Sequence, residues 1–477
     1  MRVSVIIPAY NAADTIADAL ESLLGQTSRH WDAIVVDDGS SDRTADVVER
    51  FVQRDGRIRL LRQSNRGEGA ARNAGIARAR CDWLLFLDAD DWISPLHLER
   101  LGGVLASDPG LDAVHCGYAR VAADGTQVAD NFVPPSGDLF STLARRAAFP
   151  VHSCIVRKSL VEEVGYFDTS LQRSADWDLW QRVARTGACF GAVPEVLAYY
   201  RIREHSISMD ARQVLEAGLR VLRRGHSRDS RVPNPHPAHA NGLPPERMRD
   251  QVYYLLCWCA GLALGAGEDT LPLLDSIGND RCTELFPDAI AKCIFEAAPL
   301  PTSRARHCWE ALWPELRSRV REFLTALEEH SGTPNLAPRT VEALKTRILK
   351  HTAEWRPVIE ALEQPAARHQ LRIAELERAT QELDRDLVQW KQRAEDQDAA
   401  LARKQRQTEE LERDRDHWRL RAADAERTVR NPQPVRPQRP CRRVELSGEV
   451  VDAAVPAGGR IKVGVDGGNI IRGGGPV

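Results

Sequence analysis

Neither sign of charge dominates the 477 residues, since Lys and Arg number 65 against 68 Asp and Glu, a formal charge of −3. A nucleic-acid binder ordinarily carries a basic excess, so that class loses ground at once. Cysteine pairing is missing too. The ten cysteines are scattered, and the one close pair, Cys257 and Cys259, is C-x-C rather than C-x-x-C. That argues against a zinc cluster or a secreted disulfide scaffold and fits a reducing compartment. No apolar run reaches the roughly 20 residues a membrane helix needs. The longest, Val252 to Ala266, contains Cys257, Trp258 and Gly261 and reads as a buried helix. Near the N-terminus Val3, Val5, Ile6 and Ile7 are stopped by Pro8, short of a secretory apolar core, so a cytoplasmic chain is expected. No G-x-x-x-x-G-K-[ST] stretch lies near the N-terminus, which removes the P-loop nucleotide hydrolases.

What is present is an ordinary globular balance, 43% apolar and 28% charged. The first ninety or so residues alternate between two periodicities. Val3–Ile7, Ala33–Val36, Ile58–Leu61 and Trp83–Leu87 are short apolar runs of the kind that strands buried on both faces show. Between them lie helical patterns. Ile16, Leu20, Leu23 and Leu24 recur at helical spacing behind Asn11 or Asp14 as cap, Val47, Val48 and Phe51 follow a Gly-Ser turn, and Gly69–Ala79 makes a third. Such alternation predicts a parallel sheet with helices on both faces, and ligands on such sheets bind beyond the carboxyl ends of the strands.

Four polar clusters fall at those ends: Pro8-Ala9-Tyr10-Asn11, Asp37-Asp38-Gly39-Ser40-Ser41-Asp42, Asn65 through Asn73, and Asp88-Ala89-Asp90-Asp91. Acid loops after four neighbouring strands would converge on one rim. Alternate residues of extended chain face the same side, so Asp88 and Asp90 can point into one site. Paired carboxylates there suit a hard divalent ion, Mg²⁺ or Mn²⁺, that also takes phosphate oxygens from a substrate. Gly67-Glu68-Gly69-Ala70-Ala71-Arg72 echoes a dinucleotide-binding turn, but it follows the third strand and ends in Arg, which sets that reading aside.

In this order, and with Ala71-Arg72-Asn73 between the second and the last, these clusters resemble the signature of family-2 glycosyltransferases of the GT-A fold. The resemblance covers about residues 1–208. It implies a Rossmann-like α/β domain with a mostly parallel sheet. It further implies transfer of a sugar, with inversion, from a nucleotide sugar (UDP- or dTDP-linked) to a hydroxyl on a glycan or lipid-linked acceptor, in cell-surface polysaccharide or lipid-linked glycan assembly. By that similarity Pro8, Ala9, Tyr10 and Asn11 line the nucleotide-sugar site and Asp38 contacts the base. Arg72 lies near the nucleotide, Asp88 by the ribose or metal, and Asp90 on the metal. The family's catalytic base precedes an aromatic-rich helix, here Ser174-Ala175-Asp176-Trp177-Asp178-Leu179-Trp180. The family usually has Glu where this chain has Ala175. Asp176 is the expected base and Asp178 the second choice, unless Asp178 is an acid complementing the helix dipole. Arg203 stands where a phosphate- or metal-contacting His is common in the family, with His205 two residues on, so the third protein ligand stays open.

Beyond this first domain, taken as 1–210, the sequence predicts a linker at 211–249, rich in Pro, His and Arg. Its His226, His236 and His239 are irregularly spaced and read as solvated loop. Residues 250–365 read as an α-helical domain. Residues 366–429 lack glycine and set Leu376, Leu383, Leu387, Trp390 and Leu401 on a three-four spacing, which is a coiled-coil seam or one long solvated helix. The Pro- and Gly-rich remainder, 430–477, is expected to be poorly ordered. A homodimer through the coiled coil is expected, with peripheral association at the inner face of the membrane allowed and no nucleic-acid partner. The competing function is a non-catalytic coiled-coil assembly protein that binds nucleotide sugar without turnover.

Overall fold

The computed structural model describes residues 1–354, apart from 123–126, 133–135, 203–209, 279–280 and 303–308, together with Arg415 and Arg419. Arg203, His205, and the expected coiled coil and tail, save those two arginines, lie outside the described residues.

The alternation read from the sequence is present. Strands β1 (Val3–Ala9), β2 (Trp31–Asp37), β3 (Ile58–Arg62) and β4 (Trp83–Phe86) are separated by helices α1 (Ile16–Leu24), α2 (Thr44–Arg54) and α3 (Glu68–Ile76). Every residue of β1 and β2 is buried, which is why both lack the alternation of a half-exposed strand. There follow β5 (Trp92–Ile93), α4 (His97–Ser107), β6 (Ala113–Val121), β7 (Gln127–Phe132), β8 (Gly137–Asp138), α5 (Phe140–Leu143), β9 (Cys154–Arg157), α6 (Lys158–Glu163), α7 (Ala175–Arg185) and β10 (Cys189–Arg201). One mixed sheet results, in the order β3-β2-β1-β4-β9-β6-β10-β5, with β7 on β6 and β8 on β10.

The half that carries the four clusters is parallel: β1 pairs with β2 and β4, and β2 with β3. The register sets Ala9 opposite Asp37 and Ile6 opposite Phe86, so three carboxyl ends finish side by side. Close packing holds them. A Cβ on Gly75 of α3 would stand 2.4 Å from the Ile6 side chain, so only glycine lets the helix sit this near β1. Gly39 has φ of +78°, and a side chain there would meet the Asn65 backbone at 2.8 Å, which ties the turn after β2 to the loop after β3. Within the mostly parallel sheet that the resemblance implies, β9 runs antiparallel between β4 and β6. The rim is therefore completed by residues that enter from the opposite direction, just before β9.

Helix α7 reaches the same rim through aromatic packing. Its Trp180 lies 6.4 Å from Phe86 and 5.6 Å from Phe149, centroid to centroid. Burying a side chain of this size is worth about 1.5–3 kcal/mol.

The structure corrects the linker. Residues 211–225 form helix α8 (Ala211–Gly225), which buries Leu215, Leu219 and Leu222. The stretch after it is stitched down, because buried Arg185 donates to the carbonyls of Arg224 at 2.6 Å and His239 at 2.9 Å. Composition misleads here: prolines and arginines signal solvent only when no buried partner awaits them. Helices α9 (Arg249–Ala266), α10 (Leu271–Asp275), α11 (Pro287–Ala297) and α12 (Trp309–Ser331) follow, with Val252–Ala266 inside the helix expected there. Among the described residues no helix is long and apolar enough to cross a membrane.

Candidate active site

Beyond β4 the chain runs through Leu87 and Asp88 into a turn at Ala89 and Asp90. Asp88 and Asp90 are partly exposed while Ala89 and Asp91 are buried. A turn closes the loop, the Asp91 amide donating to the Asp88 carbonyl at 3.1 Å. From the far end of β10, Arg201 clamps it. The Arg201 Nε donates to the Asp90 carbonyl at 2.8 Å, its guanidinium lies 4.7 Å over the Trp92 ring, and its far nitrogen reaches Asp18 at 2.6 Å.

Arg72, in the middle of α3, is the cation of this acid rim. It is buried, donates to Asp88 Oδ1 at 2.6 Å and to Glu68, and rests 5.0 Å above the Phe167 ring. Phe167 is held in turn by Asn73, whose side-chain amide donates to the Phe167 carbonyl and accepts from its amide, both at 2.9 Å. The motif Arg72-Asn73 is thus one device: the first residue carries charge and the second fixes the aromatic floor beneath it.

Asp176 opens α7. The residue before the helix, Ser174, is left-handed at φ 57°, and Asp176 Oδ1 accepts its neighbour's amide, from Trp177, at 2.8 Å. Burial pushes its carboxyl above the usual carboxylate value and Asp88 adds to this, with the Arg72 guanidinium and the Trp177 amide pulling the other way. The same field couples Asp88, Asp90 and Asp176 to Glu68. Four carboxylates therefore share one mouth with one buried guanidinium. Helix α7 could not supply Asp178 as well. That side chain is fully buried and bonded to Arg182 at 2.9 Å, Arg224 at 2.7 Å and Arg231 at 2.9 Å. Asp178 is a structural hub and holds no proton-accepting position toward the mouth, so the second choice for the base falls away.

The remaining motif residues build the wall beside the rim. Pro8 and Ala9 end β1, buried, and Tyr10 stands out at 53% exposure. Asn11 turns at φ 49° and accepts the Ser41 amide at 2.8 Å while the Asn11 amide donates to Ser40 Oγ at 3.0 Å. Asp38 is buried, and its carboxylate accepts Gln63 Nε2 at 2.7 Å, the Arg66 amide at 2.9 Å and the Gly67 amide at 2.8 Å. In this state Asp38 is occupied in joining the loops after β2 and β3.

The sequence reading missed two participants. Asp88, Asp91 and His152 each offer a ligand atom, and these lie within 4.8 Å of one another, a set that could hold a metal ion. His152 comes from the helical turn Val151–Ser153 that feeds β9. Burial works against charge on its imidazole, but the Asp91 carboxylate outweighs that and holds it above the usual value. Only the antiparallel entry of β9 brings His152 beside β4, and no local pattern announces it.

The family model described as Glycosyl transferase family 2 matches residues 4–165. Among curated proteins, the chain is 38% identical over 133 residues to the uncharacterized glycosyltransferase EpsJ of Bacillus subtilis, spanning 28% of this chain and 37% of that protein. It therefore covers little more than a third of that relative's length. It is 31% identical over 209 residues to the putative teichuronic acid biosynthesis glycosyltransferase TuaG of the same organism, 43% of this chain and 81% of that protein. Among solved structures, TarS 1–349 of S. aureus, in complex with UDP-GlcNAc, aligns over 74% of this chain and 92% of its own at 16% identity and a TM-score of 0.42. The TuaG alignment covers about four-fifths of that relative at 31% identity, and on that ground the chain belongs to glycosyl transferase family 2.

Proposed function

We propose that this chain transfers a sugar from a nucleoside-diphosphate sugar, UDP- or dTDP-linked, to a hydroxyl of a glycan or lipid-linked acceptor in cell-surface polysaccharide assembly, with inversion at the anomeric carbon. The observation that carries the reading is the grouping of Asp176, Asp88, Asp90 and Glu68 around Arg72 at one rim. The reaction asks for two things: charge to offset the leaving diphosphate, and a base on the opposite face of the sugar to take the acceptor proton.

Asp176 suits the second task. Its raised affinity for protons makes it a better acceptor than a free carboxylate, and its place at the start of α7 keeps it partly open to the mouth. Asp88 and Asp90 suit a divalent ion, because the carboxylates of Asp88, Asp90, Asp176 and Glu68 that act on one another at the mouth outnumber the guanidiniums of Arg72 and Arg201 beside them. Bound there, Mg²⁺ or Mn²⁺ would act as the Lewis acid that offsets charge on the diphosphate. Arg72 keeps Asp88 aimed, and Tyr10 offers an exposed ring at the edge of the wall for the base of the donor. Residues 366–429 would pair two chains, leaving the rim free, in a cytoplasmic enzyme that works at the membrane's inner face.

The test is release of nucleoside diphosphate from a panel of sugar nucleotides. Release with Mn²⁺ that stops on adding a chelator is expected. Absence of release from every donor, with binding intact, would favour the competing assembly protein and contradict the enzyme.

A further inference from the structure

Beneath the acid loop lies a second set of contacts that the proposed chemistry does not use. Asp91 is fully buried, although it belongs to the same four-residue loop as Asp88 and Asp90. Its Oδ1 accepts the Arg201 amide at 2.8 Å, and its Oδ2 stands 3.0 Å from Nδ1 of His152. His152 is equally buried, and its ring stacks on Tyr200 at 6.1 Å and 11°. Three elements distant in sequence thus meet on Asp91: the end of β4, the turn before β9 and the end of β10.

A buried ion pair is a weak source of stability, since desolvation consumes most of what the charges gain; apolar residues of the same size would serve a core as well or better. What such a pair does supply is geometry. Asp91 is one residue from Asp90 and is joined by its amide to the Asp88 carbonyl, so fixing its side chain from below fixes the direction of both neighbours above. Arg201 contributes from the same strand end, through its amide to Asp91 and its Nε to the Asp90 carbonyl.

We propose that Asp91 and His152 are a positioning pair that sets the pitch of the Asp88–Asp90 carboxylates for a cation-bound diphosphate. The inference rests on the glycosyl-transfer reading given above. Groups that orient ligand carboxylates typically govern metal affinity by 10–100-fold, without touching the metal.

The experiment is calorimetric titration of the full chain with Mn²⁺ and whichever of UDP, dTDP and GDP the parent binds. If the parent binds none of them with Mn²⁺, the donor reading itself fails, and the positioning pair with it. With binding established, His152→Ala is expected to weaken Mn²⁺-dependent nucleotide affinity about 10–100-fold, and His152→Gln, whose amide can again face Asp91, to recover most of that loss. His115→Ala, another buried histidine of the sheet, stacked on Phe149 at 5.0 Å, should lower the melting temperature and leave nucleotide affinity unchanged. Should His152→Ala not fold, Asp91→Asn takes its place, with the same weakening expected. Affinity within twofold of the parent in folded His152→Ala, or in Asp91→Asn, overturns the proposal. So does hyperfine coupling between Mn²⁺ and the His152 nitrogen, which would make His152 a ligand instead.

Discussion

At the scale of single residues the account turns on Asp176, and its proton affinity has two consequences. A carboxylate held above the ordinary Asp value of about 3.9 must lose its proton before it can accept another. The acid limb of turnover should therefore lie above that value, and a kcat profile against pH would show it. The second consequence concerns stability. A group whose folded pKa is raised binds its proton more tightly folded than unfolded, so its contribution is present at low pH and disappears as pH rises through the raised value. At neutral pH the ionised side chain is a liability, one that Asp176→Asn removes. Without added metal at pH 7.5, that variant should melt at or above the parent, and the difference should vanish below about pH 4. A lower melting temperature at pH 7.5 would mean that Asp176 is held by favourable contacts rather than strained by burial.

Among elements, α7 has a divided task, and two of its acids two residues apart carry the two halves. Asp176 faces the mouth, while Asp178 gathers Arg182, Arg224 and Arg231 inside the fold. Removing one partner of a buried charge network costs about 3–5 kcal/mol. Asp178→Ala should therefore lower the melting temperature sharply, as followed by tryptophan fluorescence, in contrast to Asp176→Asn. This division was only half legible in the sequence. The acid pair Asp176 and Asp178, on either side of Trp177, was visible, but a solvated acid at a helix start and a buried hub look alike until Arg224 and Arg231 are known to fold back. The same ignorance turned 211–249 into a linker. By contrast β1 to β4 and the loops after them were readable almost residue by residue, because a strand buried on both faces leaves an unbroken apolar run and a parallel sheet places its loops by rule. Asp91 and His152 were not. A buried acid beside two partly exposed ones has no signature of its own, and His152 reaches it only through the antiparallel pairing of β9 with β4.

At the scale of the whole molecule, the described residues that make the rim all precede residue 202, within a first compact unit of Met1–Gln370. The apolar seam of 366–429 would leave Leu376, Leu383 and Leu387 in water if unpaired, at about 1.5–3 kcal/mol each. Light scattering should find the full chain dimeric at micromolar concentration, and a chain ending at Pro365 monomeric and still able to bind donor. A full chain that stays monomeric would contradict the pairing. The central claim, that this rim transfers sugar with Asp176 as base, is tested most directly by one comparison. For Asp176→Asn, donor affinity and the rate of nucleoside diphosphate release would be measured on the same preparation as the parent, with Mn²⁺ and the donor that the parent uses. Affinity within a few-fold and a rate lower by about 10²–10⁴ are expected. A rate within threefold of the parent would contradict the account.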